Sequence, residues 1–600
     1  MVAAFFHPIG DSYTENDFYG GYAAGAAALR HGMLDPHRYA AYGPVYELTL
    51  ALAQGPGWDA FACAKFLSVL AAAGTLFCWL AMLAPLLGSL GAALAILFVA
   101  VTPVFTRYAY AATTDMLATF LASLAIALRL RRSGTGASVA AGALAALATL
   151  TRYQMIFVAL AGLSPLFARP GALRERGAWR EVAEFGAGFL ALFAPWTWFA
   201  CAHGAPPAAA LYQHYGFYAS SDASRNYQDA AGSAPESLGW DAASSFARVA
   251  SSDPLALLKL WAGRAVEHLW LDARILVGPW LGALALAGIL LWPLVRRGRG
   301  IGAIAALGLI AHLTLVPVFY SHRYRLPLIP FECALAAAAL LWLGSRGPRA
   351  RTAAAVLALI AIVTLTARNV AAQRELYLEL PRDVLALAPR LRREPDTLRV
   401  VSRRGHIGYY TGRLITPFPR VQRLPELAAA ARAGGAGYLY FSWYEARLRP
   451  EFLYLLDTTA TVPGLERLAT CEQPPAILYR LGPEFGKEPE WLMDSYQRRV
   501  HESRAAIRIY PDADAAPARA VLAADTLLHG HARAALVMAR EARGARPDLA
   551  LAWRVEGAAL QLLGDSLGAR AALDRAARAA REDTLPSGAA RSSGEPPFRR

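Results

Sequence analysis

Lysine is almost missing from this chain. Lys65, Lys259 and Lys487 stand alone among 600 residues, so arginine carries nearly all of the +15 net charge. Nucleic-acid binding would need that charge gathered into a basic face or stripe. Here it falls in short clusters between apolar runs, and nucleic acid is excluded as the expected partner. Cysteine is scarce as well. Cys63, Cys78, Cys201, Cys333 and Cys471 show no paired or metal-ligand spacing, which argues against a disulfide framework or a zinc site. Charge of either sign is thin, at 18% of residues against roughly 25% in soluble domains. The shortage is concentrated between about residues 60 and 370, while residues 370–600 carry ordinary soluble-protein charge. A single water-soluble core would have to bury several long apolar runs at once, so a bilayer is the simpler solvent for them.

What fills the poorly charged region is Ala/Leu-rich sequence long enough to cross hydrocarbon, which takes about 20 residues per helix. Ten spans are expected: 60–83, 86–105, 115–131, 136–150, 154–168, 181–203, 274–295, 300–320, 326–344 and 352–368. The short pair at 136–168, interrupted by Arg152, reads as re-entrant or tightly turned. Arginine clusters at 129–132, 169–180, 296–299 and 346–351 mark cytoplasmic loops, and two spans separate each from the next. Every cluster therefore returns to one side. The N-terminus, residues 106–114, 204–273 and 321–325, and everything after 368 fall on the other. Residues 1–10 (MVAAFFHPIG) read as the tail of a helix, which leads to the expectation of one further span upstream.

Beyond the spans the pattern changes. Segments 398–402 (LRVVS) and 437–441 (GYLYF) read as strands, with helices near 383–392 and 424–433, which predicts a small α/β domain over 375–485. After Pro483 the chain is helical and Ala-rich, with a thirty-four-residue period that pairs Gly530 with Gly564, Ala535 with Ala569, and Ala542 with Ala576. That is the period of tetratricopeptide (TPR) repeats. Two repeats, 516–549 and 550–583, are expected within a helical region 490–583, as a docking place for a protein partner; an unrelated Ala-rich hairpin is the plainer reading. Residues 584–600 have the composition of a disordered tail.

Ionisable groups beside a bilayer are costly and persist where a partner or a function holds them. Four places stand out, all assigned to the non-cytoplasmic side. Asp11, Glu15 and Asp17 precede a small-residue helix, where a carboxylate can act as general base, hold a divalent cation or simply cap the helix. Asp115 opens a span and can do the same. Arg152 follows a short helix, where its guanidinium suits a lipid phosphate. His322, Arg323 and Arg325 form a cationic cluster suited to phosphate or pyrophosphate, or to anchoring anionic lipid.

Taken in order, these segments resemble the polytopic GT-C glycosyltransferases that use polyprenyl-phosphate sugars, in particular the protein-mannosyltransferase and aminoarabinose-transferase group. The resemblance covers about residues 10–480. It rests on the acidic loop Glu15-Asn16-Asp17, Gly32, the AAYGPVYELTLAL stretch (40–52), TTD ending at Asp115, ATLTRY (148–153) and HRYRLPLIP (322–330). GYYTGR (408–413) and ILYRLG (477–482) resemble the outer domain of bacterial members. The family's loop reads Asp-Glu where this chain has Glu-Asn-Asp. The resemblance implies a membrane unit over 1–370 that moves a hexosyl or pentosyl group from a polyprenyl-phosphate carrier to a glycan, lipid or protein acceptor. It implies Asp17, with Glu15 as rival, as the catalytic carboxylate. Asp115 becomes the second acid, with a divalent cation between Asp17 and Asp115 as an option. Arg323 becomes the donor-phosphate contact, with Arg325, Arg152 and His322 beside it. A bacterial inner-membrane location follows. Two other classes compete: a transporter or flippase of a lipid-linked glycan, which should place charged or broken helices at the midplane, and a non-catalytic scaffold presenting the repeats.

Overall fold

The computed structural model describes residues 7–39, 42–55, 57–131, 134–167, 174–207, 254–291, 298–316, 320–510 and 512–584. The chain divides into two compact units, Met1–Leu380 and Pro381–Arg600.

The first unit is a helical bundle. Asp59 opens its longest element, Ala60–Val101, by accepting the Ala62 N–H at 2.8 Å. Pro85 lacks an N–H and Gly88 adopts φ 76°, ψ 169°, so this element is two helices joined at a break. The division falls where the two apolar runs at 60–83 and 86–105 predict it. Thr114–Arg131, Thr135–Thr151 and Arg176–Ala202 follow. The last two meet backbone to backbone: a Cβ on Gly142 would lie 2.0 Å from the Phe185 carbonyl oxygen, and one on Gly188 the same distance from that of Val139. Small residues let membrane helices approach this closely. Ile329–Gly344 runs through the middle of the bundle, with Gly288 of the helix Pro279–Leu291 set against Leu335. Among the described residues, helices within 60–101, 176–202, 322–344 and 348–392 are long and apolar enough to cross a membrane, and 135–151, 279–291 and 302–315 are shorter apolar helices. The protein is a multi-pass membrane protein.

Several expectations are corrected. In place of one span over 154–168, the described residues after an extended Arg152 form short helical pieces, Tyr153–Ile156, Phe157–Ala161 and Ser164–Phe167. Thr135–Thr151 is helical across the expected segment 136–150. Within the stretch 204–273, for which no element is named from the sequence, Pro254–Leu271 is helical. Asp272–Leu276 continues it, and Gly278 at φ 86° turns the chain before Pro279. Residues 7–10 are not helical, and 1–6 lie outside the described residues. Pro348–Leu378 outruns the predicted boundary at 370.

The second unit opens with a five-stranded sheet in the order β2-β1-β3-β5-β4: β1 Arg399–Ser402, β2 Ile415–Pro417, β3 Ala436–Ser442, β4 Leu465–Glu472 and β5 Pro475–Leu481. β2, β1 and β3 are parallel; β3, β5 and β4 are antiparallel. Both predicted strands and both predicted helices, Arg382–Arg392 and Leu424–Ala433, are in place. The helices that follow are Ser495–Ile509, Asp512–Leu528, Ala532–Ala545, Ala550–Leu562 and Ser566–Thr584. Gly530 and Gly564 take matching φ values of 85° and 87° between paired helices. Ala535, Ala542, Ala569 and Ala576 are all buried. The predicted tail from 585 onward lies outside the described residues.

Candidate active site

Three segments far apart in sequence meet around one guanidinium. Arg323 stands in the turn His322–Arg325, just ahead of Pro327 and the helix Ile329–Gly344. Its Nε–H donates to Asp115 Oδ2 at 2.8 Å, Nη1 to Asp17 Oδ2 at 2.5 Å and Nη2 to the Tyr22 hydroxyl at 3.1 Å. Asp115 lies in the first turn of Thr114–Arg131 and is 1% exposed; its second oxygen is 2.8 Å from Arg152 Nε. The Arg152 N–H itself points at Thr114 Oγ1, also 2.8 Å away, so the approach to Asp115 is an ionic contact without hydrogen-bond alignment. The Arg152 guanidinium carbon sits 5.2 Å from the centre of the Tyr324 ring.

Asp17 precedes the turn Phe18–Tyr22 but makes no cap hydrogen bond there; its carboxylate goes to Arg323, and its side chain is 46% exposed. The site is thus graded. Asp115 is sealed between two arginines, and Asp17 forms the open edge.

The Arg152 turn is held in place from behind. A Cβ on Gly43 would fall 2.0 Å from the Leu150 carbonyl oxygen, so only glycine lets the 42–45 step lie against this helix end. The Tyr153 hydroxyl donates to the Tyr39 carbonyl at 2.9 Å and accepts from Trp196 Nε1 at 3.1 Å. Buried Glu47 accepts from the hydroxyls of Tyr39 (2.7 Å) and Tyr42 (3.2 Å). Gly25 packs so tightly on Glu47 that a Cβ would overlap its carboxylate.

Glu15 is not in this group. It is fully buried and accepts the backbone N–H groups of Ala112 (2.7 Å) and Asp11 (3.0 Å). Burial pushes its pKa up to about 7. With His7 and Asp11 it forms a cluster whose ligand-type atoms lie within 4.8 Å of one another. Lys65 Nζ is 2.6 Å from His7 Nδ1, and Arg107 is 3.3 Å from Asp11. Arg107 meets Asp11 directly and Lys65 meets His7, with both acids acting on the Lys65 charge, so the set suits internal charge balance better than a divalent ion. Arg323 stands between Asp17 and Asp115, the pair suggested as a cation site.

Arg325 belongs to a third group. It is 1% exposed, contacts His268 Nδ1, lies 3.1 Å from His312 Nδ1 and 3.5 Å from Asp272. His322 is exposed and stays outside all three groups. Sequence reasoning missed Tyr22, Tyr324, Thr114 and Glu47. Thr114, Tyr324 and Glu47 lie inside TTD, HRYRLPLIP and AAYGPVYELTLAL, segments the family resemblance singles out, and that was the available signal.

The multi-pass helical unit thus gathers two carboxylates and two arginines, Asp17, Asp115, Arg152 and Arg323, into one group. Residues 45–199 match the family model described as dolichyl-phosphate-mannose-protein mannosyltransferase. No curated protein sequence matches the chain. Similar solved structures include ArnT from Cupriavidus metallidurans bound to undecaprenyl phosphate (16% identity, 78% of this chain and 94% of that one, TM-score 0.43). The Archaeoglobus fulgidus oligosaccharyltransferase in complex with Zn and sulfate is another (14%, 79% and 69%, 0.48).

Proposed function

We propose that the Asp17–Arg323–Asp115–Arg152 group transfers a sugar from a polyprenyl-phosphate carrier to an acceptor hydroxyl or amine on the non-cytoplasmic face of a bacterial inner membrane. The observation that carries this reading is Arg323, which bridges two carboxylates brought from separate loops. Arg323 and Arg152 would hold the donor phosphate, since forked guanidinium donors match its oxygens. Asp115 would keep both arginines oriented. A phosphate taking Nη1 of Arg323 would release Asp17, the half-exposed member, to accept the acceptor's proton. The acceptor atom then bonds to the anomeric carbon as the sugar–phosphate bond breaks. Polyprenyl phosphate departs with the electron pair, and the configuration inverts relative to the lipid donor. Arginines fixed before the reaction stabilise the charge that grows on the leaving phosphate. Supporting the donor class is the family match over residues 45–199, whose description names a dolichyl-phosphate sugar. The test supplies the full-length protein in nanodiscs with polyprenyl-phosphate sugars of several kinds. Transfer from none of them, by protein with its native melting behaviour, would reject the proposal.

A further inference from the structure

The parallel part of the second unit's sheet points to a ligand. From β1 the chain moves to β2 on one side, then crosses to β3 on the other. Where neighbouring parallel strands send their connections in opposite directions, a crevice opens at their carboxyl ends. Arg403 and Arg404 follow β1 at that edge; Ser442, Tyr444 and Glu445 follow β3, with Arg449 just beyond.

The three arginines crowd one another. Burial lowers the pKa of Arg403, and the positive charges of Arg404 and Arg449 lower it further. Arg404 donates to the Tyr444 hydroxyl and holds its guanidinium carbon 4.6 Å from that ring. Among the described residues no carboxylate forms an ion pair with Arg403, Arg404 or Arg449. Elsewhere in this unit arginines pair readily, as Arg413 does with Asp396 at 2.9 Å and Arg540 with Glu556 at 3.0 Å. Glu445 acts on Arg403 and Arg404 electrostatically but, among the described residues, forms no ion pair with them. It is 1% exposed, its Oε2 accepts the Ser442 N–H and hydroxyl, and burial raises its pKa. Meanwhile Arg404 Nε and Arg449 Nε and Nη2 are buried with no acceptor. Buried charged donors left without partners are costly, and forked guanidinium groups are built to meet a multi-oxygen anion.

We infer that the carboxyl edge of β1 and β3, with Arg403, Arg404 and Arg449, is a binding site for a phosphate-type oxyanion, separate from the transfer site of the first unit. The anion's oxygens would take the unpartnered N–H donors. The phosphate could come from a soluble ester or from a lipid headgroup, and the experiment separates the two.

The test uses the full-length protein with Arg323→Ala in phosphatidylcholine nanodiscs, so that the bridging one of the first unit's two phosphate-holding arginines is removed, and titrates inorganic pyrophosphate by calorimetry. One saturable site should remain. Adding Arg404→Gln with Arg449→Gln should weaken it by about tenfold or more, as expected for loss of two charge-assisted donors, while Arg480→Gln, in a pair with Glu466 on another strand, should leave it unchanged. Repeating the titration in phosphatidylglycerol nanodiscs assigns the source: competition supports a lipid headgroup, and undiminished binding supports a soluble phosphate. The single variants Arg404→Gln and Arg449→Gln, each expected to weaken binding, stand in if the double variant does not fold. The inference is overturned if no pyrophosphate binds to the Arg323→Ala protein, or if folded Arg404/Arg449 variants bind it as tightly.

Discussion

Asp17→Asn separates chemistry from architecture. The Asp17 side chain is 46% exposed, so its pair with Arg323 is partly screened, and such pairs contribute about 0–1 kcal/mol to stability. Asparagine keeps an oxygen for the Arg323 Nη1–H but is a far weaker proton acceptor. A positioned general base contributes roughly 10²- to 10⁴-fold in rate, which is about 2.7–5.5 kcal/mol of barrier. Asp115→Asn should do the reverse in stability. That carboxylate is 1% exposed and is the buried counter-charge for Arg152 and Arg323, and removing one partner of a buried pair costs about 3–5 kcal/mol. The assay is single-turnover transfer from a polyprenyl-phosphate sugar by each variant in nanodiscs, beside its thermal midpoint. Asp17→Asn should fall at least about a hundredfold in rate with its midpoint nearly unmoved, while Asp115→Asn should melt clearly lower. Transfer by Asp17→Asn within threefold of the unaltered protein would refute the assignment of the base.

Other consequences can be checked alongside. Arg323→Lys replaces a fork that reaches Asp17, Asp115 and Tyr22 at once with a single ammonium, so steady-state kinetics should show a fall in kcat of about tenfold or more despite the retained charge. Glu15→Gln leaves one of two buried backbone N–H donors facing an amide, costing about 1–3 kcal/mol; the thermal midpoint should fall while transfer per folded molecule stays within threefold. Gly43→Ala drives a Cβ into the Leu150 carbonyl and should lower stability by about 1–3 kcal/mol, with slower transfer because the Arg152 turn shifts. In the second unit, burial pushes the Asp383 pKa up to about 7 from 3.8. The folded chain therefore keeps a proton that the unfolded chain sheds, and stability should decline as pH rises from about 4 to about 7. Hydrogen exchange of the Tyr440 strand should show that decline, and Asp383→Asn should flatten it.

Much of the site was visible from chemistry and order alone. Asp17, Asp115, Arg152 and Arg323 are costly groups next to apolar runs, and the same cost argument picks out Glu15 and Arg325. It cannot say which of them share a cavity, because neighbours in sequence diverge here. Glu15 and Asp17 are two residues apart, yet one turns inward to backbone amides and the other reaches Arg323. Arg323 and Arg325 diverge in the same way, since successive positions on a helical turn point in different directions.

The sequence by itself determined the partition into an apolar helical part and a charged α/β-plus-helical part, because hydropathy and periodicity are local properties that the solvent reads directly. It also determined the break near Pro85 and Gly88 and the strands and helices around 383–441, where pattern and turn residues agree. Tertiary structure alone decided that 154–167 breaks into short helical pieces and that 254–271 is helical, since neither outcome follows from the apolar length of its own segment. It also decided which charges meet. Asp17, Asp115 and Arg323 are separated by about a hundred residues or more, and no local pattern encodes a contact that depends on how whole helices pack.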